Sequence, residues 1–531
     1  MASRSRTRVA AFASATMLGM AAVLGGAPVA AAAPEPAVVP GNTGLDERTA
    51  TRVDWQPCAD APGVQCGTLT VPIDWNRPDG GTIDLALARR PATDPARRIG
   101  SLVINPGGPG GSGVDVVKYD HAFPSADLQQ RFDIVGFDPR GVGASSPLLC
   151  PAVPSLPAPA EFPTTPATFA ALKRFNQVYA EDCRRLTGPV FGYLDTLSVV
   201  QDLDAIRAAV GDSRLTYYGV SYGTLIGQQY AQRYPNRVRA LVADSNMDHS
   251  ISSAWRFMRT EATGVEESFD EFVAWCQRST ECVLHGQDVR QVFRQVRAKV
   301  AAGGVVYPGT DLTVTPILLL RVVTSALYGP EWRGLAELLV VLRDDAAPTA
   351  AVARLAPEST PTVTARGGQA AVPDPLLILC HDWRLPVRSA AELAGYRAAL
   401  RLVAPDMTLS PLGWLVPVSC VGLEDLHRNP HGPLSLSGKP SVLMLTSRYD
   451  PSTPYEWTMT AARQSGVRVL HYDGWGHGAY FKNSSCVVSA TDNYLITTRL
   501  PSSGTHCPAV EPANGLTKQL PVVPIAPRMW G

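Results

Sequence analysis

The sequence has no excess charge of either sign: 47 Lys and Arg stand against 47 Asp and Glu in 531 residues. No summed field draws such a chain to nucleic acid or to an anionic membrane, so a polyanionic partner is a poor first reading. It also lacks a C-x2-C pair among its cysteines, and a zinc site therefore finds no support. No internal repeat of solenoid length is present. Beyond the N-terminus, no apolar run is long enough to span a bilayer. No cysteine closely follows the N-terminal apolar run, which argues against a lipid anchor there. Neither a metal nor an organic cofactor is expected.

What the N-terminus does have is Arg4, Arg6 and Arg8, then an uncharged Ala-, Leu- and Met-rich run, then Ala30-Ala31-Ala32. That order of basic, apolar and small residues is the pattern of a cleaved export signal over residues 1–32. Residues 33–45 read as a leader or propeptide, and the mature chain is expected to be secreted, with no stable membrane anchor. Ten cysteines, an even number, fit an oxidising compartment. They fall as neighbours, and the simplest pairing is Cys58 with Cys66, Cys150 with Cys183, Cys276 with Cys282, Cys380 with Cys420, and Cys486 with Cys507. Nothing in the sequence fixes an oligomeric state.

From residue 100 the chain alternates apolar strands, glycine turns and helices: "IGSLVINPGGPGGSG", "FDIVGFDPRGVGASS", "SVVQDLDAIRAAVG", "LTYYGVSYGTLIGQQYA", "NRVRALVADSNM". Continuous apolar strands separated by helices imply an α/β fold, a mostly parallel sheet with helices on both faces. Near residue 250 the rhythm becomes helical, and it returns to α/β near residue 440. The expected layout is a sheet domain in two parts, 46–250 and 411–531, split by a mainly helical cap over 251–410. The Ala-, Pro- and Thr-rich stretch 345–375 reads as a mobile surface loop.

The chemistry-bearing stretch is Gly219-Val220-Ser221-Tyr222-Gly223, between an apolar strand and a helix. A G-x-S-x-G turn in that context lifts a serine onto a tight bend at the end of a sheet. A serine hydroxyl needs a base, and the base needs an orienting acid. In this arrangement the chain order is serine, acid, histidine. Asp450 ends the strand "VLMLTSRYD", and His477 lies in the glycine loop of "VLHYDGWGHG". Asp473 is a rival acid too close to His477 along one loop, and His471 sits inside the strand. Thr453 follows Asp450 closely enough to support it. Oxyanion donors are expected from the Tyr222 amide and from Gly107 in "NPGGPGGSG", with Gly108 as the alternative. Such donors are worth roughly 10²- to 10³-fold each in rate. The glycine loop lacks the Lys-Ser/Thr of a phosphate loop.

Taken together, "NPGGPGGSG", "FDPRGVGAS", "YYGVSYGT", "RYDPSTP" and "GWGHG" resemble the α/β-hydrolase peptidases that include proline iminopeptidases. The resemblance is closer to the secreted tripeptidyl aminopeptidases of filamentous Gram-positive bacteria, over roughly residues 50–510. Asn105-Pro106 stands where iminopeptidases place a histidine before the glycine run, which agrees with the tripeptidyl branch. The resemblance implies an α/β-hydrolase fold and cleavage of short peptides, with a free N-terminus, under a helical cap.

An exopeptidase acting at N-termini must recognise an ammonium group, and a desolvated carboxylate is its natural partner. Glu266, Glu267 and Asp270 in "GVEESFDEF", and Asp382 in "ILCHDW", are the candidates. A secreted carboxylesterase or lipase with the same triad is the rival enzyme, and a binding protein on a lapsed hydrolase fold is the rival of another class.

Overall fold

The computed structural model describes residues 52–120, 123–356, 363–366, 368–438 and 440–512. The expected signal and leader lie outside these residues. Thirteen strands follow in chain order: β1 Gln56–Pro57, β2 Gln65–Pro72, β3 Thr82–Arg90, β4 Gly100–Asn105, β5 Phe132–Phe137, β6 Leu149–Pro151, β7 Leu215–Val220, β8 Val238–Asp244, β9 Thr364–Arg366, β10 Gln369–Pro373, β11 Val442–Tyr449, β12 Arg468–Trp475 and β13 His506–Cys507. Ten of them form one sheet in the order β1-β2-β3-β5-β4-β7-β8-β11-β12-β13. β1 to β3 are antiparallel, and every pairing from β5 to β13 is parallel.

The parallel strands are apolar on both faces because both faces are covered. Along β7, Leu215 and Tyr217 enter one core while Tyr218 and Val220 enter the other. β11 repeats this, with Val442 and Met444 on one side and Leu443 and Leu445 on the other. Each such side chain contributes about 1.5–3 kcal/mol on burial.

β8 pairs directly with β11, Val442 opposite Leu241, although almost two hundred residues separate them in the chain. Everything between is an insertion made mainly of helices, which begins with Ala254–Arg278. It continues one helix past the expected boundary at residue 410. Pro411–Ser419 is apolar nearly throughout and is buried, with Gly413 pressed on the Glu261 side chain. The 345–375 stretch is also more ordered than its composition suggests. Ala350–Arg354 is helical, and β10 pairs with β6, Val372 opposite Cys150, with Ala371 and Val372 buried. Residues 357–362 of that stretch lie outside the described residues.

Five disulfides join each cysteine to its sequence neighbour, as the spacing suggests. No helix among the described residues is long and apolar enough to cross a membrane.

Candidate active site

β7 ends at Val220, and the helix Tyr222–Arg233 starts two residues on. Ser221 between them has φ +57° and ψ −124°, a conformation that L-residues avoid. Its amide is held by the Asp244 carbonyl at 3.0 Å, and its own carbonyl accepts the Thr224 hydroxyl at 2.6 Å. Gly223 has no room for a side chain, since a Cβ would lie 2.7 Å from the Asn105 carbonyl oxygen. Ser221 itself is half-buried.

The histidine loop follows β12. His477 Nδ1 lies 3.0 and 3.1 Å from the two carboxylate oxygens of Asp450. Asp450 is wholly buried and accepts from the Ser452 and Thr453 amides and the Thr453 hydroxyl at 2.9–3.0 Å. Burial alone would push its carboxyl up. His477, the Thr453 amide and Ser245 outweigh that and hold it below its ordinary value. An ionised Asp450 is what orients an imidazole as a base. The next residues tie this loop to β8. Gly478 N–H donates to Ser245 Oγ at 2.8 Å, and Ala479 N–H donates to Asp244 Oδ1 at 2.8 Å. The Asp244 that anchors the histidine loop by its side chain therefore anchors the serine turn by its carbonyl. The rival acid Asp473 is exposed and pairs with His506 at 2.7 Å, while His471 stacks on His506 at 4.3 Å.

The glycine loop after β4 reaches the serine turn. Gly107 has φ +84°, and a Cβ there would lie 2.3 Å from the Val220 carbonyl oxygen and 2.9 Å from the Tyr222 nitrogen. Its amide donates to Asn105 Oδ1 at 3.0 Å, so the donor that the sequence reading reserves for the oxyanion is engaged within the loop. Gly108 is the next amide along and is half-buried. The "DPRG" motif holds this loop from below. Asp138 accepts from the Ser112 hydroxyl at 2.6 Å and from the Val114 and Ala144 amides at 3.3 and 3.0 Å. Arg140 makes a fully buried two-pronged pair with Asp202, at 2.6 and 2.7 Å.

The carboxylates expected to meet an ammonium are occupied elsewhere. Asp382 is wholly buried and accepts from the Thr196 amide and hydroxyl and from Asn429, each at 2.8 Å, and from the Tyr222 phenol. Burial pushes its carboxyl up to about 6, against these donors. It holds the phenol of the residue after the serine. Glu266 accepts the Asp406 and Met407 amides at 3.1 and 2.8 Å, closing a cap turn. Glu267 pairs with Arg448 at 2.9 Å, and Asp270 with Arg290 at 2.6 Å. Glu266, Asp270 and Asp406 lie close together, and Arg290 pairs with both Asp270 and Asp406 while Arg294 pairs with Asp406.

The sequence reading missed Glu261. It lies one helical turn before Gly264, whose position is in contact with the Asp450 backbone: a Cβ at Gly264 would lie 3.1 Å from the Asp450 carbonyl oxygen. Glu261 is fully buried; Oε2 accepts the Ser410 hydroxyl at 2.9 Å, and Oε1 has no hydrogen-bond partner. Burial pushes its carboxyl well above the ordinary range. Only its place on the first cap helix, just upstream of "GVEESF", could have drawn attention to it.

Residues 100–484 match the family model described as alpha/beta hydrolase fold. The chain is 31% identical over 514 residues to serine protease Hip1 of Mycobacterium tuberculosis, covering 88% of this chain and 94% of that one. It is 32% identical over 488 residues to carboxylesterase B of the same species, covering 86% and 90%. To tripeptidyl aminopeptidase of Streptomyces lividans it is 29% identical over 490 residues, covering 86% of each. The protein is a serine hydrolase and belongs to the α/β-hydrolase fold family.

Proposed function

We propose that the protein is an exported serine exopeptidase that releases short peptides, tripeptides in the reading nearest the Streptomyces relative, from free N-termini. Ser221 Oγ attacks the scissile carbonyl while His477 Nε2 takes its proton, and Asp450 holds the Nδ1–H side of the ring. The oxyanion rests on the Tyr222 amide and on Gly108, because Asn105 occupies the Gly107 amide. His477 then protonates the leaving amine, and water releases the acyl-enzyme. Five disulfides support export to an oxidising compartment.

The observation that carries the exopeptidase reading is Glu261, a buried carboxyl one helical turn from Gly264, which packs on the Asp450 backbone, with one oxygen left without a partner. A buried acceptor of that kind is costly unless filled. A substrate ammonium would fill it and restore the ionised form through a charge-assisted bond. The likeness to carboxylesterase B favours a second reading, acyl-ester hydrolysis by the same residues. Matched p-nitroanilides separate the two: a free-amine tripeptide, its N-acetyl form and a single amino acid, beside a short-chain p-nitrophenyl ester. Preference for the free tripeptide, lost on acetylation, supports the exopeptidase; ester turnover without amide cleavage refutes it.

A further inference from the structure

We propose that Lys482 is a positioning residue for the catalytic histidine, joining the His477 loop to the C-terminal end of the cap helix Pro316–Tyr328. Lys482 Nζ donates to the Tyr328 carbonyl oxygen at 2.7 Å, and the His477 amide donates to the same oxygen at 2.9 Å. The Tyr328 ring lies on the His477 imidazole with centroids 4.8 Å apart. Tyr328 is the last residue of its helix, where carbonyls lack partners within the helix and aligned peptide dipoles leave partial negative charge. A buried ammonium is well suited to that end, and Lys482 is only 4% exposed.

The sheet side of the histidine loop is fixed by Asp244 and Ser245, and Lys482 fixes its cap side. The charged groups that act on the ammonium are Asp450 after β11, Asp244 at the end of β8, and Glu331 at the start of the next cap helix. His477 is the titratable neighbour in its own loop. Burial pulls the ammonium down to about 8, against the pull of these carboxylates. As pH rises through that value, the clamp loses its charge beside the base. The neutral amine still donates to the Tyr328 oxygen but without charge assistance, so the cap-side hold on the histidine loosens, and turnover falls while substrate binding is largely kept.

The test uses the mature chain and p-nitrophenyl butyrate, from about pH 6 to about pH 10, with Ser221→Ala as the blank. This ester has no amine to titrate, and both the peptidase and the esterase readings turn it over, so failure of the exopeptidase reading leaves the test intact. Wild-type kcat is expected to fall around pH 8 with KM nearly constant. Folded Lys482→Met is expected to have about tenfold lower kcat at neutral pH and no alkaline limb there. A folded variant with wild-type kcat, or with lowered kcat and the same limb, overturns the proposal. If Lys482→Met does not fold, the wild-type profile decides: a limb near pH 8 supports the proposal, and a flat profile through that range overturns it.

Discussion

The phenol of Tyr222 donates to the buried carboxylate of Asp382, joining the residue after Ser221 to the last residue of a cap helix. The same phenol lies 2.8 Å from the Thr196 hydroxyl, so two other elements fix one side chain. The amide of that residue is the proposed oxyanion donor, and its direction matters most when charge develops. Tyr222→Phe and Asp382→Asn should each lower kcat about tenfold and leave KM nearly unchanged. Steady-state kinetics on one ester checks this; a rise in KM at constant kcat would place the pair in substrate binding instead.

Gly107 makes a steric prediction. Gly107→Ala adds a methyl at the point lying 2.3 Å from the Val220 carbonyl oxygen, in a backbone with φ +84°. The glycine loop or the serine turn must move, so the rate should fall by roughly 10²-fold or more. Fluorophosphonate labelling of Ser221 should slow in parallel, which a gel readout would show.

Glu261→Gln removes the ability to ionise on binding an ammonium but keeps the shape and the contact with Ser410. It should lower kcat/KM for a free-amine tripeptide anilide by roughly 10²-fold, through loss of a charge-assisted bond. The ratio of free-amine to N-acetylated turnover should collapse with it. An unchanged ratio assigns ammonium recognition to another residue.

Glu266 gives a pH dependence of stability. Burial raises its carboxyl to about 7 in the folded chain, against an ordinary value of 4.5. Between these values the folded state binds a proton that the unfolded state does not. Its contribution is therefore complete below pH 4.5 and lost as pH rises through about 7. Glu266→Gln should compare better with wild type at pH 8 than at pH 5, read as the difference in Tm measured at each. A difference that does not change with pH, or that changes in the other direction, contradicts this account.

The parts of the site legible in the sequence are those whose chemistry is written locally. Ser221 sits between an apolar strand and a helix, His477 in a glycine loop, and Asp450 at a strand end, so neighbours along the chain reveal each one. The sheet was legible for the same reason, as was the pairing of close cysteines. Asp382 follows an apolar run in the sequence, but its donors come from Thr196, Tyr222 and Asn429, far away in sequence. Glu261 looks like any helix-surface glutamate until Pro411–Ser419 packs over it. Lys482 is likewise ordinary until the end of a distant helix lies beneath its ammonium. Within 345–375, the strand Gln369–Pro373 depends on β6, more than two hundred residues earlier, which no local pattern shows.

The nucleophile assignment has its own test. Ser221→Ala should lower kcat by on the order of 10⁶-fold with the fold retained. Near-wild-type turnover by a folded variant contradicts the triad.

The central claim is that this serine hydrolase cuts from free N-termini. The most direct measurement is mass spectrometry of the products formed from an unstructured peptide of mixed sequence, sampled over time with the purified mature chain. The expected result is successive release of short N-terminal fragments, with none formed from the N-acetylated peptide or by Ser221→Ala. Internal fragments, or equal cleavage of the acetylated peptide, would contradict it.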